Sequence, residues 1–142
     1  MSNTGVDVVN NLRIPTALVS AIELGEWEKA KPDSLLLSIF PVRRLIAPEF
    51  YNVDGMRRES AGLEKVESRN YWGLKDALNQ PGDIDPKLTV IIASTIEEEY
   101  IALDYRLSLD KPRVVFFCGT PARWIEIAPD IEALLTRLNC KY

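Results

Sequence analysis

Tyr100-Ile101-Ala102-Leu103-Asp104-Tyr105 reads as a β-strand, with Arg106 next in the chain. Successive side chains of an extended chain point to opposite sides, so Tyr100, Ala102 and Asp104 share one face and Ile101, Leu103 and Tyr105 the other. Similar segments flank it. Leu88 to Ala93 is an apolar, β-rich run of the kind that fits a buried strand. Leu107 to Pro112 makes a turn, Arg113 to Cys118 a further strand, and Gly119 to Pro121 another turn. Arg123 to Ile127 completes the series, with Trp124 and Glu126 alternating against Ile125 and Ile127. Links this short between successive strands favour an antiparallel meander. Pro129 then opens a final helix in which Ile131, Leu134, Leu135 and Leu138 repeat at core spacing.

The N-terminal half carries helical signals. Ile14, Ala17, Leu18, Ala21 and Ile22 fall on one helical face, with Pro15 in the first turn and Gly25 at the stop. A second helix is expected from the Asp33-Ser34 cap through Leu36, Leu37 and Phe40 to Pro41. Glu49 to Val53 fits a short strand, and Asn52 or Asp54 caps a helix over Met56 to Glu64. Residues 67–86, with Gly73, Pro81, Gly82 and Pro86, read as a long structured loop with Tyr71 and Trp72 tucked inward. Residues 1–12 have no clear period and read as a flexible N-terminal arm. The expectation is a single α+β domain over 1–142, a mostly antiparallel sheet with helices covering one face.

Composition removes much common chemistry. The 142 residues include no histidine, which excludes imidazole-based triads and every zinc site that needs an imidazole ligand. Two cysteines, Cys118 and Cys140, have no C-x-x-C neighbour and read as reduced thiols of a cytoplasmic protein. Met1 to Asn11 lacks the basic-then-apolar order of a signal peptide, and the longest apolar run, Val114 to Cys118, is far short of the ~20 residues of a membrane span. Seventeen basic against twenty-one acidic side chains give a net charge of −4, which argues against direct nucleic-acid binding and for a basic protein partner. No metal or other cofactor is expected.

The remaining candidates each carry an ordinary structural reading beside a chemical one. No phosphate-binding glycine loop and no G-x-S-x-G elbow is present. Ser108-Leu109-Asp110-Lys111 matches S-x-x-K, but Pro112 ends it and a turn explains it better than a serine–lysine nucleophile. Asp83 and Asp85 could act as an acid/base pair, or simply bond local backbone in the Pro81-Gly82-Asp83 and Asp85-Pro86 turns. Asp104, in an apolar strand, needs a partner, for which Arg106 and Arg113 are the candidates. Glu97, Glu98 and Glu99 form either an acidic patch for a cationic partner or a solvated loop. Trp27, Trp72 and Trp124 are either hot spots or core, and Cys118 is a small buried hydrophobe sooner than a reactive thiol.

From Asp85-Pro86 to Leu138 the chain resembles the end of a Smi/Knr-type domain of the SUKH superfamily. The residues that carry the resemblance are Tyr100 to Arg106, Pro112 to Phe117, Arg123-Trp124-Ile125-Glu126-Ile127-Ala128-Pro129 and the helix from Ile131 to Leu138. Ile14-Pro15 stands where many members have Leu-Pro, but the family's following Asn-Gly is missing. The resemblance implies a SUKH-like α+β fold without enzymatic activity. It implies either a bacterial immunity protein that neutralises a cognate toxin, such as a nuclease, or a regulatory or scaffold module with no toxin partner. Glu97, Glu98, Glu99, Tyr105 and Arg106 are the expected partner-binding residues, with no catalytic residue, no metal, no membrane and no direct nucleic-acid contact.

Overall fold

Strand β6 (Tyr100–Asp104) lies inside the main sheet and sets its arrangement, as its alternation implies. The computed structural model describes residues 7–30, 48–63, 72–73, 81–95, 98–119 and 122–142. β5 (Thr89–Ser94), β6, β7 (Arg113–Gly119) and β8 (Ala122–Ala128) run as neighbours in an antiparallel meander. The strand bounds differ from the expected ones by a residue or two, and the register pairs Ala102 with Val115 and Phe116 with Ile125. Two short edges extend the meander to six strands. β3 (Glu49–Phe50) pairs with β5, and β4 (Pro81–Gly82) with β8.

Alternate residues of β5, β6 and β7 are equally buried, with Val90, Ile92, Ala102 and Val115 as closed off as Ile91, Ile101 and Phe116. The centre of the sheet is therefore covered on both faces, where helices on one face were expected. α2 (Val53–Leu63) packs on β5, while α3 (Ile131–Arg137) packs on β7, β8 and α1 (Thr16–Glu23). Asn52 caps α2 as expected, its Oδ1 accepting from Gly55 N at 2.9 Å. Val53 opens that helix instead of ending the strand. In α3 the cap is Asp130, whose carboxylate accepts from Ala133 N, with Pro129 one residue outside it. α1 starts after Pro15 and stops where Gly25 turns to a φ of +74°, a conformation that costs glycine little. Trp27 and Trp124 are core residues.

The register shift between Ile91 and Ala93 breaks β5 locally, and Ile91 N donates to the buried Ser60 Oγ of α2 at 3.0 Å. A side chain of the covering helix thus satisfies a backbone group in the irregular stretch of the strand. Trp72 is half-buried against the core, and its indole N–H donates to Leu63 O at 2.8 Å. Next to it, Gly73 bridges to Asp83 at a φ of +77°. A Cβ there would meet Gly82 O at 2.2 Å, so only glycine fits.

The N-terminal arm is corrected over its described part. β1 (Val8–Val9) and β2 (Leu12–Arg13) form a hairpin whose Val9 and Leu12 enter the core. Its two-residue turn, Asn10-Asn11, holds φ values of 56° and 62°, the conformation of a type I′ turn that asparagine tolerates. The helix expected over 33–40 and the side chains of Tyr71 and Cys118 lie outside the described residues.

Candidate functional site

The chain leaves β6 through Tyr105 and Arg106 and returns into β7 at Arg113, so the register sets Asp104 opposite Arg113. The Asp104 side chain is fully buried, and a carboxylate there requires compensation. It receives two guanidinium groups. Arg113 Nε lies 2.9 Å from Oδ2, Arg106 Nε 3.1 Å from Oδ1, and Arg106 N also donates to Oδ1 at 3.1 Å. Both expected partners are thus used at once. Arg106 reaches on to Asp83, with Nη1 3.1 Å from Oδ1 and Nη2 2.6 Å from the backbone oxygen. Arg113 Nη1 also lies 3.6 Å from Glu126 Oε1 on β8. Burial disfavours the charge on Arg106, but the hydrogen bonds and charges of Asp104 and Asp83 outweigh it and raise its pKa.

The network takes in one of the two aspartates read as a possible acid/base pair. Asp83 is tied to Arg106, and Asp85 caps the 3₁₀ turn Pro86–Leu88 by accepting from Lys87 N at 3.0 Å. The two carboxylates serve separate local roles. Ser108 Oγ accepts from Lys111 N at 2.9 Å, so S-x-x-K here is a turn.

Above the network stands the tip of the β6–β7 hairpin. Leu107 is 74% exposed and Leu109 64%, both among the four large hydrophobic residues that stand exposed in the described chain. Leu109 and Asp110 form one wall of a cleft of about 350 Å³, and Asn11, Leu12, Arg13 and Thr16 form the other. Its two walls are fixed to each other through the fold. Tyr105 OH donates to Arg13 O at 2.8 Å, Tyr105 N to Leu88 O, and Asn10 Nδ2 to Thr89 O at 3.2 Å. The Tyr105 hydroxyl pKa is raised by burial, so it stays a neutral donor.

Comparison with protein-family models, curated proteins and solved structures found no match to this chain. The functional reading therefore rests on the geometry and on the sequence.

The expected partner-binding residues separate into two groups. Glu98 and Glu99 lie at the β5–β6 turn, where Glu98 is exposed at a φ of +59° and Glu99 accepts from Thr95 Oγ1 at 3.1 Å. Glu97 lies outside the described residues. Tyr105 and Arg106 stand at the other end of β6, about 20 Å away at ~3.3 Å per residue. Tyr105 is 1% exposed and Arg106 is committed to two aspartates, so neither forms an open contact surface. Leu107 and Leu109, which the sequence places in a turn, stand exposed instead. Their signal was two leucines placed between polar residues in a strand-to-strand link, where solvation would favour polar side chains throughout.

A second cavity of about 500 Å³ lies between β3 and the start of α2, bordered by Glu28, Glu49, Tyr51, Asn52, Asp54 and Arg58. Among the described residues no group of three metal-ligating side chains converges there or elsewhere. No helix of the described chain is long and apolar enough to cross a membrane.

Proposed function

We propose that the chain is a non-enzymatic protein-binding domain that uses the β6–β7 end of its sheet. The observation that carries this reading is the pair Leu107 and Leu109, held outward on a tip whose base is clamped by Asp104, Arg106 and Arg113. Exposed leucines on a braced hairpin give a partner apolar area without a large ordering cost, since the loop is already fixed. The finer reading is a cytoplasmic immunity protein that binds and neutralises a cognate toxin. It is supported by the SUKH-like C-terminal half and by the engagement of the candidate acid/base groups in structural bonds.

The test is co-expression with a candidate toxin sought among the products of the adjacent genes. The wild-type chain is expected to protect growth and to form a one-to-one complex. Leu107→Asp with Leu109→Asp should fold normally and lose at least tenfold in affinity, because the substitution puts two charges into the contact. Wild-type chain that neither binds nor protects would remove the immunity reading. Full affinity in the double variant would remove the β6–β7 end as the contact surface. Stable recovery of a signalling or structural protein in place of the toxin would favour a regulatory or scaffold role.

A further inference from the structure

The cavity between β3 and the start of α2 stands at the other end of the sheet from Leu107 and Leu109. Glu49 of β3 pairs with Ser94, and Ser94 with Tyr100, the first residue of β6. Phe50 and Tyr51 line the cavity and are nearly closed to solvent. Both are fixed by their neighbours. The Phe50 ring stands edge-on to Trp27 at 4.8 Å, the Trp27 indole N–H donates to Tyr51 O at 2.9 Å, and the Tyr51 hydroxyl is hydrogen-bonded to Ser94 Oγ. A ligand would meet walls already in place, so little ordering is left for it to impose.

The rest of the lining is charged. Glu28, Glu49 and Asp54 border the cavity against a single guanidinium, Arg58, a balance of −2. Arg57 pairs with Asp54 at 3.1 Å and Glu59 with Arg58 at 3.5 Å, one added cation against one added anion, so these pairs leave the balance as it is. Glu28 and Glu49 are exposed and take part in no ion pair among the described residues. The Tyr51 hydroxyl feels a field of the same sign. Its pKa is raised, mainly by burial, and Glu59 and Glu49 each add more than Arg58 takes away. The first turn of α2 does not reverse that field, because Asn52 Oδ1 takes Gly55 N and Asp54 stands in the same turn.

A volume of about 500 Å³ is within the range of ligand cavities. Among the described residues no three carboxylates converge on one point, so a compact metal ion would not gather them. A guanidinium suits them better, since it spreads five donors over a planar fork on a long stem and stacks on aromatic side chains. We infer that this cavity receives an arginine side chain of a protein partner, its guanidinium held by Glu28 and Glu49 and its stem laid against Phe50 and Tyr51. The net charge of −4 on the whole chain favours encounter with a basic segment of that kind. This contact is separate from the one at the β6–β7 end, and neither requires the other.

The experiment is a titration of the full-length ¹⁵N-labelled chain with Ac-Gly-Arg-Gly-NH2, Ac-Gly-Lys-Gly-NH2 and Ac-Gly-Gln-Gly-NH2 at equal ionic strength, followed by backbone amide shifts. The arginine peptide is expected to shift Glu28, Glu49, Tyr51 and Asp54 with a millimolar Kd. The lysine peptide should bind at least threefold more weakly and the glutamine peptide at least tenfold. Glu28→Gln with Glu49→Gln should keep the urea midpoint of the wild type, both side chains being exposed, and should lose at least fivefold in affinity for the arginine peptide. Leu107→Asp with Leu109→Asp should leave the titration unchanged. No saturable shift at the cavity, equal binding of the arginine and lysine peptides, or full affinity in the double glutamine variant would overturn the arginine site. So would a loss of binding in the double aspartate variant, which would move the peptide to the β6–β7 end.

Discussion

Asp104 shows how one residue can be readable and yet misjudged in its consequences. Its place in an apolar strand demanded a cation, and the sequence offered Arg106 and Arg113. That both serve together, and that Arg106 continues to Asp83, is a property of the folded sheet, because residues 83 and 106 meet only after β4 has paired with β8. A buried carboxylate facing two guanidiniums is worth little against an apolar substitute of the whole group, but removing one member leaves the others uncompensated. Asp104→Asn keeps the shape and removes the charge, so it is expected to cost about 3 kcal/mol. Arg106→Gln should cost less, about 1 kcal/mol, since that side chain is 23% exposed and water can replace part of what it gives. Urea denaturation of the two variants, with slopes held equal to wild type, measures both. An Asp104→Asn cost below that of Arg106→Gln would contradict the central role assigned to the aspartate.

At the scale of elements, legibility followed the length of the repeating pattern. The meander from β5 to β8 and the amphipathic helices α1 and α3 were readable because five to eight residues of one period announce themselves. β3 falls inside the strand expected over Glu49 to Val53, but β1, β2 and β4 hold two residues each, too few to show any period. Asn10-Asn11 is the local signal for the first hairpin, and two asparagines are a weaker mark than Asn-Gly. Coverage of the second sheet face has its local trace in the apolar runs Leu88 to Ala93 and Val114 to Cys118, which do not alternate. The cleft inherits this limit, since one of its walls is the β1–β2 hairpin. Short elements also depend more on their ends. α3 has seven residues, and Asp130 supplies the one side-chain cap at its start, accepting from Ala133 N at 2.9 Å. Asp130→Ala is expected to lower stability by about 1 kcal/mol. Asp130→Ser, which can accept the same bond, should recover most of that. Thermal denaturation ranks the three chains, and an alanine variant as stable as the serine one would show the cap to be idle.

At the scale of the whole molecule, the C-terminus is stitched to the end of the first helix. Cys140 is buried, its Sγ donates to Glu26 O at 3.6 Å, and Lys141 N donates to Glu26 Oε1 at 3.3 Å. Burial pushes the Cys140 thiol up from 9.0 to about 11, with the Glu26 charge adding to the effect. The thiol is therefore protonated in the folded chain at pH values where the unfolded chain has begun to lose that proton. The contribution is complete below pH 9 and disappears as pH rises from about 9 to about 11, because there the unfolded state binds fewer protons than the folded one. The loss at the top of that window is about 1–2 kcal/mol, using 1.36 kcal/mol per pKa unit as a ceiling on each unit. Tyr51 and Tyr105 are also raised by burial, and they add a slope of the same sign that begins near their ordinary value of 10.0. From pH 9 to 10 the tyrosine slope is common to the wild type and Cys140→Ala, so the difference between the two chains isolates the cysteine. Urea midpoints of the wild type should fall across that range, and those of Cys140→Ala should fall distinctly less, whatever the absolute stability of the variant. Parallel slopes for the two chains would mean that the thiol ionises alike in both states, and that the junction between the C-terminus and Glu26 is open to water.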